Sequence, residues 1–100
     1  MLIIAGEIRM EPGTRAQFFE AVAPMVTATL QESGCQTYAF TPDPDDADLV
    51  RLYELWDDDE SLQGHFDSAH MAEWRARSAD LPVTGRNLHR YTISEATPLA

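Results

Sequence analysis

The stretch from Tyr53 to His70 reads YELWDDDESLQGHFDSAH, and four of its residues can do chemistry: Glu54, Trp56, His65 and His70. Glutamate and histidine together can move protons near neutrality. Histidine titrates there unaided, and a carboxylate in an apolar setting is pushed toward the same range. A tryptophan beside them can form a flat wall for a planar ligand.

Spacing says how these groups can meet. Glu54 lies two residues from both Leu52 and Trp56, so in a strand the three share a face. A carboxylate on an apolar face must find a partner or hold a proton. His65, His70, Arg9 and Arg90 are the candidate partners, and the plainer alternative is a structural tether from Glu54 to the start of the next helix. His65 and His70 are five apart. On one continuous helix that separates them by roughly 140°, which is not the i, i+4 pair of a zinc helix. A break near Asp67-Ser68 would let them converge; otherwise each reads as a structural or exposed histidine. Tyr38, Phe40, Phe66 and Trp74 could extend an aromatic wall, although each alone reads as packing. Cys35, the one cysteine, follows a helix stop and reads as a small buried hydrophobe. Asp57-Asp58-Asp59-Glu60 suits a solvated helix start. The chain has no phosphate-cradling glycine loop, serine elbow or metal-loop spacing, so no metal site or bound cofactor is expected.

The elements that must hold these residues can be read from periodicity. Leu2 to Met10 is the first strand, ended by Glu11-Pro12-Gly13. Thr14 and Gln17 have capping-box spacing and start a helix in which Phe18, Val22, Met25 and Thr29 form one stripe. Pro24 removes a donor within it and predicts a kink rather than two helices. Gly34 supplies the left-handed stop. Cys35 to Thr41 and Leu49 to Trp56 are the second and third strands, joined by a turn at Pro42-Asp43-Pro44-Asp45-Asp46. Glu60 to Phe66 is helical, and Asp67 or Ser68 can cap a second piece running through Trp74. Leu81-Pro82 ends it, and Asn87 to Ile93 is the last strand.

This βαββαβ order predicts a ferredoxin-like α+β fold: one domain over residues 1–100, a four-stranded antiparallel sheet, and helices on one face. In the third strand Leu49, Tyr53 and Leu55 alternate with Val50, Leu52 and Trp56. A strand apolar on both faces is covered on both, so a face-to-face homodimer is expected. Composition narrows the partners. There are 17 acidic against 7 basic side chains, a net charge of −10, which repels nucleic-acid backbones and anionic membranes. No apolar run approaches the roughly 20 residues of a spanning helix, and the start lacks the basic region of a signal peptide. A cytoplasmic protein is expected.

Taken in order, Glu32-Ser33-Gly34-Cys35, Tyr38, Tyr53-Glu54-Leu55-Trp56, His65 and Ser68-Ala69-His70 resemble the antibiotic biosynthesis monooxygenase family. Its pattern is an E-x-G-C turn, a strand ending E-x-W, and a helix with H-x-x-(S/T)-x-H, and the resemblance covers nearly the whole chain. It implies a ferredoxin-like dimeric α/β barrel that oxidises a planar phenol, hydroquinone or polyketide-like aromatic with O₂, without flavin, haem or metal. On that resemblance His65 is the base, Glu54 orients it or serves as second base, and His70 bonds substrate or supports the site. Trp56, with Tyr38, Phe66 and Trp74, forms the substrate wall. Some oxidising members carry an Asn where this chain has Leu52. The haem-degrading branch uses a first-strand Asn and a further helix histidine, and both are missing here. Two other readings stand beside oxidation. One is a cofactor-free isomerase of a small metabolite using the same acid/base groups. The other is a dimeric small-molecule-binding or stress-response protein without turnover.

Overall fold

The computed structural model describes residues 1–100. In chain order it has β1 (Leu2–Met10), α1 (Arg15–Thr29), β2 (Cys35–Pro42), β3 (Leu49–Trp56), α2 (Asp59–Phe66), α3 (Ala69–Ser78) and β4 (Val83–Thr92). The strands form one antiparallel sheet in the order β2-β3-β1-β4. This is the ferredoxin-like α+β fold, with the second helical segment divided in two.

β1 and β3 occupy the residues that the alternating pattern predicts. Their even-numbered side chains face the helices: Leu2, Ile8 and Met10 on β1, and Val50, Leu52 and Trp56 on β3, are all buried. Phe18, Val22 and Met25 of α1 and Leu62 of α2 close over most of them to make the core. Each such side chain contributes roughly 1.5–3 kcal/mol through burial, so these two central strands and α1 form the rigid frame on which the site is built.

Three local expectations change. Thr14 is the N-cap of α1 but makes no side-chain cap; its hydroxyl donates to the Glu11 carbonyl at 2.7 Å, so no capping box forms with Gln17. Pro24 lies within a single helix, Arg15–Thr29, as the sequence predicts. α2 begins at Asp59, one residue earlier than expected, because Asp58 caps it by accepting from the Ser61 amide at 2.7 Å. β4 begins at Val83, four residues before Asn87. An irregularity between Arg9 and Met10 lets Val83 pair with Met10, which the polar run Thr84-Gly85-Arg86 conceals from hydropathy.

Register fixes what faces what. Glu54 and Arg90 flank Ile4, and Leu52 and Leu88 flank Gly6, all on the helix side. The opposite face carries Ile3 between Leu55 and Tyr91, and Ala5 beside Tyr53. No helix covers that face, and Tyr53 and Tyr91 are 41% and 53% exposed.

Candidate active site

β3 brings Glu54 and Trp56 to the helix side of the sheet, as their spacing predicts. Trp56 is wholly buried, and its indole Nε1 donates to Glu54 Oε1 at 2.9 Å. Glu54 is only 6% exposed. Burial pushes its carboxyl up to about 7, with the indole bond opposing and the nearby Glu32 charge adding to the rise. The charged form has lost water and gained one neutral donor, so near neutrality the group exists in both protonation states.

The two histidines converge because the helix breaks. Ser68 ends the first piece and caps the second: its hydroxyl donates to the His65 carbonyl at 2.7 Å and accepts from the Met71 amide at 3.3 Å. The turn brings the His65 and His70 rings to 5.8 Å between centroids. Between them stands Glu32, from the turn before β2. One of its oxygens, Oε2, accepts from His65 Nδ1 at 2.6 Å and from His70 Nε2 at 2.9 Å. A carboxylate only accepts, so each bonded ring nitrogen carries a proton. His65 is 1% exposed, and burial lowers its pKa while the Glu32 hydrogen bond works against that. Its imidazole is therefore neutral near pH 7, with Nδ1 protonated and Nε2 bare.

A cavity of about 340 Å³ lies between the sheet and the helices. Its wall is mainly apolar, from Ile4, Phe18, Phe40, Leu52, Met71 and Leu88, and it includes Tyr38, Glu54, His65, Phe66 and Trp74. His65 Nε2, Glu54 Oε2 and the Tyr38 hydroxyl make no hydrogen bond within the protein, and all three residues line this cavity. Burial keeps the Tyr38 hydroxyl protonated far above neutral pH. The cavity thus offers a bare imidazole nitrogen, a carboxyl near its midpoint and a phenol donor.

Of the residues singled out from sequence, Glu54, His65, Tyr38, Phe66 and Trp74 line the cavity. Trp56 does not. Its ring centroid is 4.9 Å from that of His65, but it lies sealed in the core, where it anchors Glu54 instead of presenting a face to a ligand. His70 stands behind Glu32 and borders a smaller pocket of about 110 Å³ with Met25, Trp74 and Arg77. Arg9 and Arg90 are not partners of Glu54; they pair with Asp46 and Asp59. Cys35 is raised to about 11, first by burial, and stays an unreactive thiol.

The residue whose role the sequence hides is Glu32. It was visible as part of the E-x-G-C turn, but its bonds reach 33 and 38 positions along the chain, beyond any local pattern. Donor atoms of Glu32, His65 and His70 lie within 4.8 Å of one another, so these three residues are the ones able to hold a metal ion. The two hydrogen bonds account for the cluster without one.

Comparison with known proteins agrees with this architecture. The crystal structure of a candidate antibiotic biosynthesis monooxygenase from Deinococcus radiodurans is similar over 100% of this chain and 99% of its own, with a TM-score of 0.87 at 22% identity. Another candidate member, from Nitrosomonas europaea, has a TM-score of 0.84 at 21% identity over 95% of this chain and all of its own. An uncharacterized protein of Synechocystis is 24% identical over 98 residues, which is 98% of this chain and 67% of that protein. The model of the antibiotic biosynthesis monooxygenase family matches residues 1–77, and the chain belongs to that family.

Proposed function

We propose that the protein is a cofactor-independent monooxygenase that oxidises a planar phenol, hydroquinone or polyketide-like aromatic with O₂. The observation that carries this reading is His65. Its Nδ1–H is tied to Glu32, which leaves Nε2 bare at an apolar cavity shared with Glu54. The cavity volume is in the range of small-ligand sites, and its aromatic lining suits a flat ring.

His65 Nε2 takes the hydroxyl proton and leaves an electron-rich phenolate. The phenolate gives one electron to O₂, and the resulting radical pair combines to form a carbon–oxygen bond at a ring carbon that carries hydrogen. The imidazolium returns its proton to the outer peroxide oxygen. Loss of that ring hydrogen as a proton, with cleavage of the O–O bond, releases water and leaves a new carbonyl. One O₂ is consumed, one oxygen atom entering the product and one leaving as water. The Tyr38 hydroxyl and protonated Glu54 are donors for the developing oxyanion, and the apolar wall strengthens both interactions by excluding water. The test is O₂ uptake with a panel of hydroquinones and anthrones. Uptake that disappears in His65→Ala supports the reading, and no uptake from well-folded protein with any panel member overturns it.

A second reading has its own support. Leu52 occupies the cavity position where some oxidising members carry Asn, and a Glu54–His65 pair can shuttle a proton between two substrate atoms. A cofactor-free isomerase would exchange substrate hydrogen with solvent in the absence of O₂.

The protein works as a homodimer on this reading. The uncovered sheet face, with Tyr53, Leu55, Ile3 and Tyr91, is the surface that pairs. Sedimentation at micromolar concentration that gives only a stable monomer rules this out.

A further inference from the structure

Resting on the oxidative reading, we propose that the substrate carries an acidic group at the end remote from its reacting hydroxyl, and that Arg86 binds it. Two independent observations lead there. The first is pairing. All seven basic residues of this chain are arginines, and six have partners. Arg9, Arg51 and Arg90 pair with Asp46, Asp43 and Asp59. Arg15 donates to three carbonyls, Arg75 to the Phe66 carbonyl, and Arg77 to the Ala21 carbonyl. The Arg86 side chain alone makes no hydrogen bond or ion pair, in a chain with 17 carboxylates.

The second observation is place. Arg86 lines the cavity. Its strand partner is Ile8, four residues along β1 from Ile4, which sits beside Glu54. Four strand residues span about 13 Å, and the step from β3 across β1 to β4 adds about 10 Å sideways. Glu54 and Arg86 are therefore set at diagonally opposite positions on the sheet floor of the cavity. Between them lie Leu52, Leu88, Phe18, Phe40 and Trp74. The complementary ligand is a rigid fused-ring aromatic with a hydroxyl at one end and an oxyanion at the other. A guanidinium fork takes a carboxylate through two parallel hydrogen bonds. A net charge of −10 repels anions at long range, so an acidic substrate needs such a local cation.

Calorimetric titration under nitrogen with three probes tests this without turnover. They are 6-hydroxy-2-naphthoate, with its groups at opposite ends, 3-hydroxy-2-naphthoate, with them adjacent, and uncharged 2-naphthol. The expected result is that 6-hydroxy-2-naphthoate binds at least tenfold more tightly than 2-naphthol, and that 3-hydroxy-2-naphthoate shows no such gain. Arg86→Gln removes the gain and leaves the Kd for 2-naphthol unchanged, while Arg9→Gln, an equal change of net charge away from the cavity, preserves it. Equal affinities, a gain that survives Arg86→Gln, or no binding by any probe overturns the proposal. Arg86-dependent binding by a protein that consumes no O₂ with any substrate would instead overturn the oxidative reading and leave the acid-binding rim in place.

Discussion

Replacing Glu32 separates a base that is merely buried from one that is oriented. In His65, burial lowers the pKa and the 2.6 Å bond to Glu32 opposes it. Hydrogen bonds to charged groups are worth roughly 1.5–3 kcal/mol, and 1.36 kcal/mol corresponds to one pH unit. Glu32→Gln keeps an acceptor for Nδ1–H but removes the charge. His65 should then titrate roughly one to two pH units lower than in the parent protein, with modest loss of turnover. Glu32→Ala removes the acceptor as well. The ring can then carry its proton on Nε2, which takes the base away from the cavity, and kcat/KM should fall by on the order of 10²-fold or more. Following the His65 ring signals by NMR across pH isolates this group from Glu54, which titrates nearby. A His65 midpoint that stays put or rises in Glu32→Gln refutes the reasoning, as does full activity in a folded Glu32→Ala protein.

Three further outcomes are expected. The Glu54 carboxyl titrates at about 7 in the fold against an ordinary 4.5, so the folded state holds that proton more tightly. Its contribution favours the fold below about pH 4.5 and is lost as pH rises through 7. Glu54→Gln should match the parent protein at pH 4 and exceed it by roughly 2–4 kcal/mol at pH 8 in denaturant unfolding; parallel stability curves across that range would contradict the assignment. Trp56→Phe deletes the indole donor that holds the carboxyl down, so carboxyl-carbon NMR should find Glu54 titrating above its parent midpoint, and a lower value would show that the bond has no such effect. Gly34 has φ +86°, and an added Cβ would approach Ser61 Oγ to 2.1 Å; Gly34→Ala should cost at least about 1 kcal/mol and loosen the turn carrying Glu32, which a thermal melt equal to the parent's would disprove.

Hydropathy finds what repeats and misses what meets. β1 and β3 are legible because each is a short, largely apolar run bounded by turn residues. Glu54 is legible because a lone carboxylate interrupts the apolar residues of its face. The meeting of His65 and His70 depends on one hydroxyl, Ser68, bonded to both helical pieces. Sequence spacing offered that break as one option beside a continuous helix. Trp56 illustrates the opposite limit: a strand-end tryptophan is equally suited to wall and core, and only packing decides that its indole faces Glu54. Arg86 sits in the polar start of β4, where no periodicity marks it, and its importance comes from what six other arginines are doing.

The single Glu32 oxygen between two imidazoles also solves a problem of supply. His65 sits at 1% exposure, cut off from bulk solvent, whereas the Glu32 and His70 side chains are 17% and 23% exposed. The three groups form an unbroken chain of hydrogen bonds from interior to surface. A proton can pass from His65 Nδ1 to the partly exposed Glu32 carboxylate, and from there to solvent, without any part of the fold opening; His70 donates to the same oxygen and holds that carboxylate in place. A catalyst stalled with the wrong charge on its inner ring can thus re-equilibrate with the medium between encounters, even while a flat molecule plugs the front entrance.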